Sequence, residues 1–328
     1  MSEILVVVDH ADVPEGVAIK KPTYEMLTLA ARVGEPSAVF IGPKAKAAEV
    51  ADAVSRYGAQ RVYVVDDEGL KGYLAAPKAE ALQQLMEKAS QSGALGAVLI
   101  ASSAEGKEVA GRLAIRTGSG LITDAVDVEA SDDGPVTTQS VFAGSFTVRA
   151  RVTRGTPIIT VKPNSTAPVE AYGAGQVEEV AVTVSEAARA ARIVASRPRA
   201  ATGRPELAEA AIVVAGGRGT GGDFDPVEGL ADVLGAAVGA SRAAVDSGWK
   251  PHSHQIGQTG KTVSPHLYIA AGISGAIQHR AGMQTSRVVV AVNKDAEAPI
   301  FDLVDFGVVG DLHTVLPAVS EEIGRRKG

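Results

Sequence analysis

Short apolar runs rich in β-branched residues alternate with segments of helical period, and this alternation limits the chain to few folds. In the first half the strand-like runs are residues 4–9, 38–41, 61–65 and 97–101, each bounded by turn residues. Between them lie residues 22–33, 45–57, 77–92 and 105–117, where apolar side chains recur at helical spacing, as with Leu82, Leu85, Met86 and Ala89. Such alternation builds a parallel sheet with helices on its faces. The pattern changes afterwards. Residues 126–128, 138–143, 146–152 and 157–160 read as successive strands with Gly144 at a turn, which predicts a small antiparallel or mixed extension.

A polar stretch at 196–205 holds Pro198 and Pro205 and has no apolar period, so it reads as a linker. Its arginines, Arg197, Arg199 and Arg204, are given no binding role. A second alternating unit follows, with strands at 211–215, 267–271 and 288–292 and helices at 226–235, 274–283 and 312–326. The expected architecture is therefore α/β with two doubly wound domains. A Rossmann-like domain with its mixed or antiparallel extension occupies 1–193, a linker 194–206, and a second parallel-sheet domain 207–328. Hydrophobic residues make up 45% of the chain but aromatics only 4%, a mix that lets helices lie close on a parallel sheet.

Composition also removes several kinds of function. The chain has no cysteine, which excludes disulfides, thiolate catalysis and cysteine-ligated iron–sulfur or zinc centres. Any redox role would therefore have to use an organic cofactor or another subunit. A net charge of −6 argues against nucleic-acid binding. No segment approaches the ~20 apolar residues of a membrane-spanning helix. The start, Met1-Ser2-Glu3-Ile4, enters a strand without a basic, signal-like lead, so a cytoplasmic protein is expected.

Three glycine-rich loops in the second unit carry the functional signal. Gly217, Gly219 and Gly222 follow a strand with the spacing G-x-G-x-x-G, and Arg218 within them can bridge diphosphate oxygens. A nicotinamide site also wants a carboxylate about 20 residues on. Gly239-Ala240-Ser241-Arg242 stands there instead. The sequence Gly257-Gln258-Thr259-Gly260-Lys261-Thr262 ends like a phosphate-binding P-loop but has too few residues between its glycines and no clear preceding strand. Gly272-Ile273-Ser274-Gly275 follows a strand directly, and Ser274 reads as a helix cap with free amides behind it. His279 falls inside that helix, where a lone histidine is more often structural than functional.

Taken in order, these loops are far more specific than any one of them. Gly-Gly-Arg-Gly, Gly-Ala-Ser-Arg-Ala-Ala-Val-Asp, Gln-Ile-Gly-Gln-Thr-Gly-Lys-Thr-Val, Leu-Tyr-Ile-Ala-Ala-Gly-Ile-Ser-Gly-Ala-Ile-Gln-His and Val-Asn-Lys-Asp-Ala-Glu-Ala-Pro-Ile-Phe run from Gly216 towards Asp311. The set resembles the electron transfer flavoprotein alpha-subunit family, and the first half resembles it in layout. The resemblance implies one FAD held by the second domain. Arg218 and Ser241 would lie near the diphosphate, and Arg242 against the isoalloxazine ring, where a cation stabilises the negative charge of a reduced flavin. Ile256, Gly257, Gln258 and Thr259 would wrap the ring and ribityl chain. Ser274, Gly275, Ala276, Ile277, Gln278 and His279 would bind phosphate and the flavin O2, with His279 at least partly protonated. Asn293 and Asp311 would hold the adenosine half.

The resemblance further implies a heterodimer with an electron transfer flavoprotein beta subunit that carries AMP. Acyl-CoA dehydrogenases would be the donors and an electron transfer flavoprotein-quinone oxidoreductase the acceptor. Such a chain is an electron carrier without catalytic residues or metal of its own. The alternative is a nicotinamide-nucleotide oxidoreductase or NAD-binding module using the Gly217 loop.

Overall fold

A computed structural model describes residues 2–13, 16–142, 144–195 and 203–327. The chain separates into two compact units, Met1–Ser140 with Thr147–Pro198, and Val141–Phe146 with Arg199–Gly328. Residues 196–202 of the expected linker, and residue 143 of an expected strand, lie outside the described residues.

The first unit contains β1 (Glu3–Val7), β2 (His10–Val13), β3 (Gly16–Ile19), α1 (Lys21–Val33), β4 (Glu35–Ile41), α2 (Ala47–Ser55), β5 (Arg61–Val65), α3 (Ala75–Ser92), β6 (Leu95–Ala101), α4 (Ala104–Thr117), β7 (Leu121–Glu129), β8 (Val136–Val141), β9 (Phe146–Arg151), β10 (Ile158–Val161) and β11 (Gln176–Glu179). Nine of these strands form one mixed sheet in the order β11-β5-β4-β1-β6-β10-β7-β8-β9. Successive β1 residues point to opposite faces. Ile4 and Val6 pack with Met26 and Leu29 of α1 and with Val50 and Val54 of α2. Leu5 packs with Leu82 and Leu85 of α3 and with Leu113 of α4. Ser103 caps α4 by accepting a hydrogen bond from the Gly106 amide at 3.0 Å.

The extension is mixed, as the sequence predicts. β7 and β8 pair antiparallel and β9 continues the sheet beyond β8, while β10 returns to lie parallel between β6 and β7. Its residues Ile158, Ile159 and Val161 are buried, which a strand inserted between two others requires. The β2–β3 hairpin, in contrast, stands outside the sheet as a two-stranded ribbon, and no period in the sequence marked it.

The second unit contains β12 (Ile212–Gly216), α5 (Asp225–Leu234), β13 (Ala237–Ala240), α6 (Arg242–Asp246), β14 (Leu267–Ala271), α7 (Ile277–Arg280), β15 (Val288–Asn293), β16 (Phe306–Val309) and α8 (Leu312–Lys327). Its strands form a five-stranded sheet, β13-β12-β14-β15-β16, and every pairing is parallel. The two faces are covered differently. Val227 and Leu230 of α5 and Leu312 and Leu316 of α8 lie on one, against Val214 and Ile269. The other, with Val213, Ala215, Tyr268 and Ala270, is covered by Ile256, Val263, Ile273, Met283 and Ile300, which come mostly from loops.

Phe40 is fully buried between the first sheet and its helices. Phe40→Ala is expected to cost about 3–5 kcal/mol through lost transfer energy and a cavity, read as a lower urea midpoint for the first unit.

Candidate functional site at the carboxyl edge of the second sheet

Five parallel strands end at one edge, and the loops leaving that edge carry every residue singled out from the sequence. Arg218 follows β12, Ser241 and Arg242 follow β13, and residues 274–279 follow β14. Asn293 closes β15, and Asp311 comes just after β16. Residues 256–259 join the same edge, because the Ile256 amide donates to the Ala240 carbonyl at 2.9 Å. In open α/β sheets ligands bind beyond the carboxyl ends of the strands, at the point where strand order reverses. Here β12 is that central strand, with β13 on one side and β14 on the other.

The loops after β12 and β14 are locked together. The Gly217 amide donates to the Ala271 carbonyl and the Gly219 amide to the Gly272 carbonyl, each at 2.9 Å. A Cβ on Gly217 would lie 2.3 Å from the Gly272 oxygen. The glycines that mimic a dinucleotide fingerprint are therefore required by backbone packing. The loop continues into a 3-10 turn, Arg218–Thr220, and α5 begins only at Asp225. Asp225 and Glu228 sit in the first turn of α5, where their charge opposes a phosphate. This disfavours the nicotinamide reading. Arg218 itself is exposed and has no ion pair among the described residues.

The P-loop resemblance also has a plain structural account. No helix follows residues 257–262; the chain runs on into β14. The loop instead packs on the turn around α7. The Gln258 amide donates to the Gln278 carbonyl at 2.8 Å, and Gly257 takes φ +141 with its backbone against Gly282. Gln255, almost fully buried, organises this loop. Its Nε2 donates to the Thr259 hydroxyl at 2.9 Å and its carbonyl accepts from the Lys261 amide at 2.7 Å. Thr259 keeps its own hydroxyl proton to give.

Several expected contacts already have structural work. Ser241 is the N-cap of α6 and accepts from the Ala244 amide at 3.3 Å. Arg242 is exposed and pairs with Asp246 at 3.3 Å. Asn293 donates to the Ile273 carbonyl at 3.0 Å, and Asp311 accepts from the His313 amide at 2.9 Å. Ser274 is not a helix cap as expected. The helix is the shorter α7, its N-cap is Ala276, and residues 273–276 run irregularly before it. Gly275 at φ +87 and the Ile300 amide, which donates to the Ser274 carbonyl at 3.0 Å, hold that path. The backbone amides of residues 274–278 make no hydrogen bond among the described residues, so they remain free to meet an anion.

His279 differs from expectation in charge. It is 6% exposed, and burial lowers its pKa to about 4. The ring is neutral at pH 7, not a cation. Its Nε2 lies 2.8 Å from the Tyr268 hydroxyl. Its Nδ1 is buried with no hydrogen-bond partner among the described residues, and the Ile256 backbone near the ring only partly offsets the effect of burial. A native chain tolerates few such orphans, and an orphan at a strand-end site is a ligand signal. Tyr268 and Gln255 were missed in the sequence. For Tyr268 a clue was available, since a polar group inside an apolar run has to find a partner, whereas Gln255 stands in a polar stretch that carries no such signal.

Comparison with known proteins gives the family to which both units are similar. The family described as "Electron transfer flavoprotein FAD-binding domain" matches residues 206–284, and that described as "Electron transfer flavoprotein domain" matches residues 4–187. The chain is 52% identical over 331 residues to the electron transfer flavoprotein subunit alpha of Mycobacterium leprae, covering 100% of both chains. It is 54% identical over 331 residues to that of Mycobacterium tuberculosis, again covering 100% of both. The Bacillus subtilis subunit alpha is 39% identical over 293 residues, 88% of this chain and 87% of the relative.

Two outcomes follow from the geometry. Gly217→Ala is expected to destabilise the second unit by about 1–3 kcal/mol, because backbone has to move, and urea unfolding reads this. His279 is neutral when folded and titrates near pH 6.5 when unfolded, so its contribution is fully present above pH 6.5. It is lost as pH falls from there to about 4, by at most on the order of 3 kcal/mol. A His279→Gln chain is expected to show a flatter stability profile across that window.

Proposed function

The chain belongs to the electron transfer flavoprotein alpha-subunit family, and on that premise we propose that it holds one FAD at the carboxyl edge of its second sheet. It is an FAD-binding electron carrier that works with a beta subunit. The observation that carries the site is the convergence of five strand-end loops on one edge, with free amides at 274–278 and the unbonded His279 Nδ1 among them. Both features fit the group. A diphosphate needs amide donors, and a flavin edge offers carbonyl and ring-nitrogen acceptors.

When bound, FAD supplies the reversible electron chemistry. The chain's residues bind and tune it. Arg218 and the 274–278 amides take the diphosphate, with Ser241 beside them. Ile256, Gly257, Gln258 and Thr259 would wrap the ring and ribityl chain, with the Thr259 hydroxyl as a hydrogen-bond donor towards the ring edge. His279 faces the O2 side. Asn293 and Asp311 hold the adenosine half, where a carboxylate suits hydroxyls better than phosphate. Arg242, exposed beside Asp246, is the cation that would balance negative charge on a reduced ring. Residues 1–193 serve as the scaffold for the beta subunit, which carries AMP. Acyl-CoA dehydrogenases donate the electrons and an electron transfer flavoprotein-quinone oxidoreductase accepts them. Among the described residues no helix is long and apolar enough to cross a membrane, and we place the protein in the cytoplasm.

Co-expression with the beta subunit is expected to yield a yellow complex with near-stoichiometric flavin absorbance; a colourless complex would remove the FAD reading. Arg242→Ala is expected to make the flavin harder to reduce by lowering its midpoint potential, as followed by spectroelectrochemical titration. An unchanged potential would take that role from Arg242.

A further inference from the structure

Tyr268 is the second residue of β14, wholly buried on the loop-covered face of the second sheet. Its hydroxyl has one hydrogen-bond partner among the described residues, His279 Nε2 at 2.8 Å. The His279 ring has two neutral forms, and the surroundings distinguish them. With the proton on Nε2, the ring donates to the tyrosine oxygen. The tyrosine proton then has no acceptor, and the Nδ1 lone pair has no donor, so two buried groups go unmet. With the proton on Nδ1, the tyrosine donates to Nε2 and both are satisfied. One group, Nδ1–H, is left over without a hydrogen bond among the described residues. A doubly protonated ring would strand the tyrosine proton and bury a charge as well.

We propose that Tyr268 is a positioning residue that fixes His279 as the neutral Nδ1–H tautomer, making it a hydrogen-bond donor rather than a cation. The inference rests on the FAD site proposed above and deepens it. His279 itself lies against the 256–259 loop, where a Cβ on Gly257 would stand 3.5 Å from the His279 Cα. A donor of this kind recognises a carbonyl oxygen on a heteroaromatic ring and adds no charge of its own. The charge that answers a reduced ring then comes from Arg242 alone of this pair. A buried tyrosine in a strand that otherwise reads Leu-Tyr-Ile-Ala-Ala thereby acquires a function besides packing.

The test uses the heterodimer with ring-¹⁵N-labelled histidine at pH 7. The chain has six histidines, and His279→Gln assigns the signal by its disappearance. The wild-type spectrum is expected to show a protonated Nδ1 and an unprotonated, hydrogen-bonded Nε2. Tyr268→Phe, which removes one oxygen, is expected to erase that pattern through a mixture of tautomers or a proton on Nε2. It is also expected to shift the flavin midpoint potential while FAD stays bound, a change that loss of packing alone does not produce. A wild-type ring protonated on Nε2 or on both nitrogens overturns the proposal, and this needs no variant to fold. An unchanged tautomer in Tyr268→Phe overturns it too. A complex lacking FAD but keeping the Nδ1–H pattern would sink the cofactor site and leave the Tyr268–His279 assignment standing.

Discussion

One face of the second sheet is closed by loops where a doubly wound fold would place helices, and the candidate site depends on that substitution. Ile256, Val263, Ile273 and Ile300 supply the apolar cover that helix side chains would otherwise give. Loops carry unmet backbone groups, so they stay buried only if they bond to each other or to the sheet. Here they do both. The loop after β12 bonds to the loop after β14, Ile256 bonds to Ala240, and Gln258 bonds to Gln278. The result is a rigid collar at the carboxyl edge in which amides 274–278 are left over. A collar built this way is prepared for a large polar cofactor before one arrives.

The same constraint explains what could be read from the sequence. The alternation of strands and helices was plain, because buried parallel strands are continuous apolar runs and their helices keep a strict period. The strand β13 was not. It reads Ala-Val-Gly-Ala, too small to look like a strand. Its size is set by the loop above it, since a Cβ on Gly239 would lie 2.3 Å from Ile256 Cδ1. Likewise β16, Phe-Gly-Val-Val, is a short, largely exposed edge strand and was not read as one. The identity of the site residues came from the order of several loops, because each loop alone fitted a wrong motif. The Gly217 pattern answers to Gly272 packing and the Gly257 pattern to the α7 turn. The charge of His279 was not legible at all: burial is a tertiary property, and it reverses the expected protonation.

Charge is accordingly divided within the site. The neutral pair Tyr268–His279 lies inside the collar, and Arg242 and Arg218 lie on its exposed rim. Buried cations would carry a large desolvation cost, whereas rim guanidiniums keep their solvation and can still approach a ligand. Arg242 is already tied loosely to Asp246 across one helical turn, a contact worth little in water. That arrangement suits a carrier whose cofactor changes charge during each cycle. It leaves the interior unaltered and moves the response to the surface.

The central claim is that the collar of the second sheet holds the FAD. Amide hydrogen exchange, compared between the FAD-loaded and FAD-stripped heterodimer, tests it most directly. The account predicts that FAD slows exchange at residues 256–259 and 274–278 in this chain. Unchanged exchange at both loops, with protection confined to the first unit or the beta subunit, would contradict it.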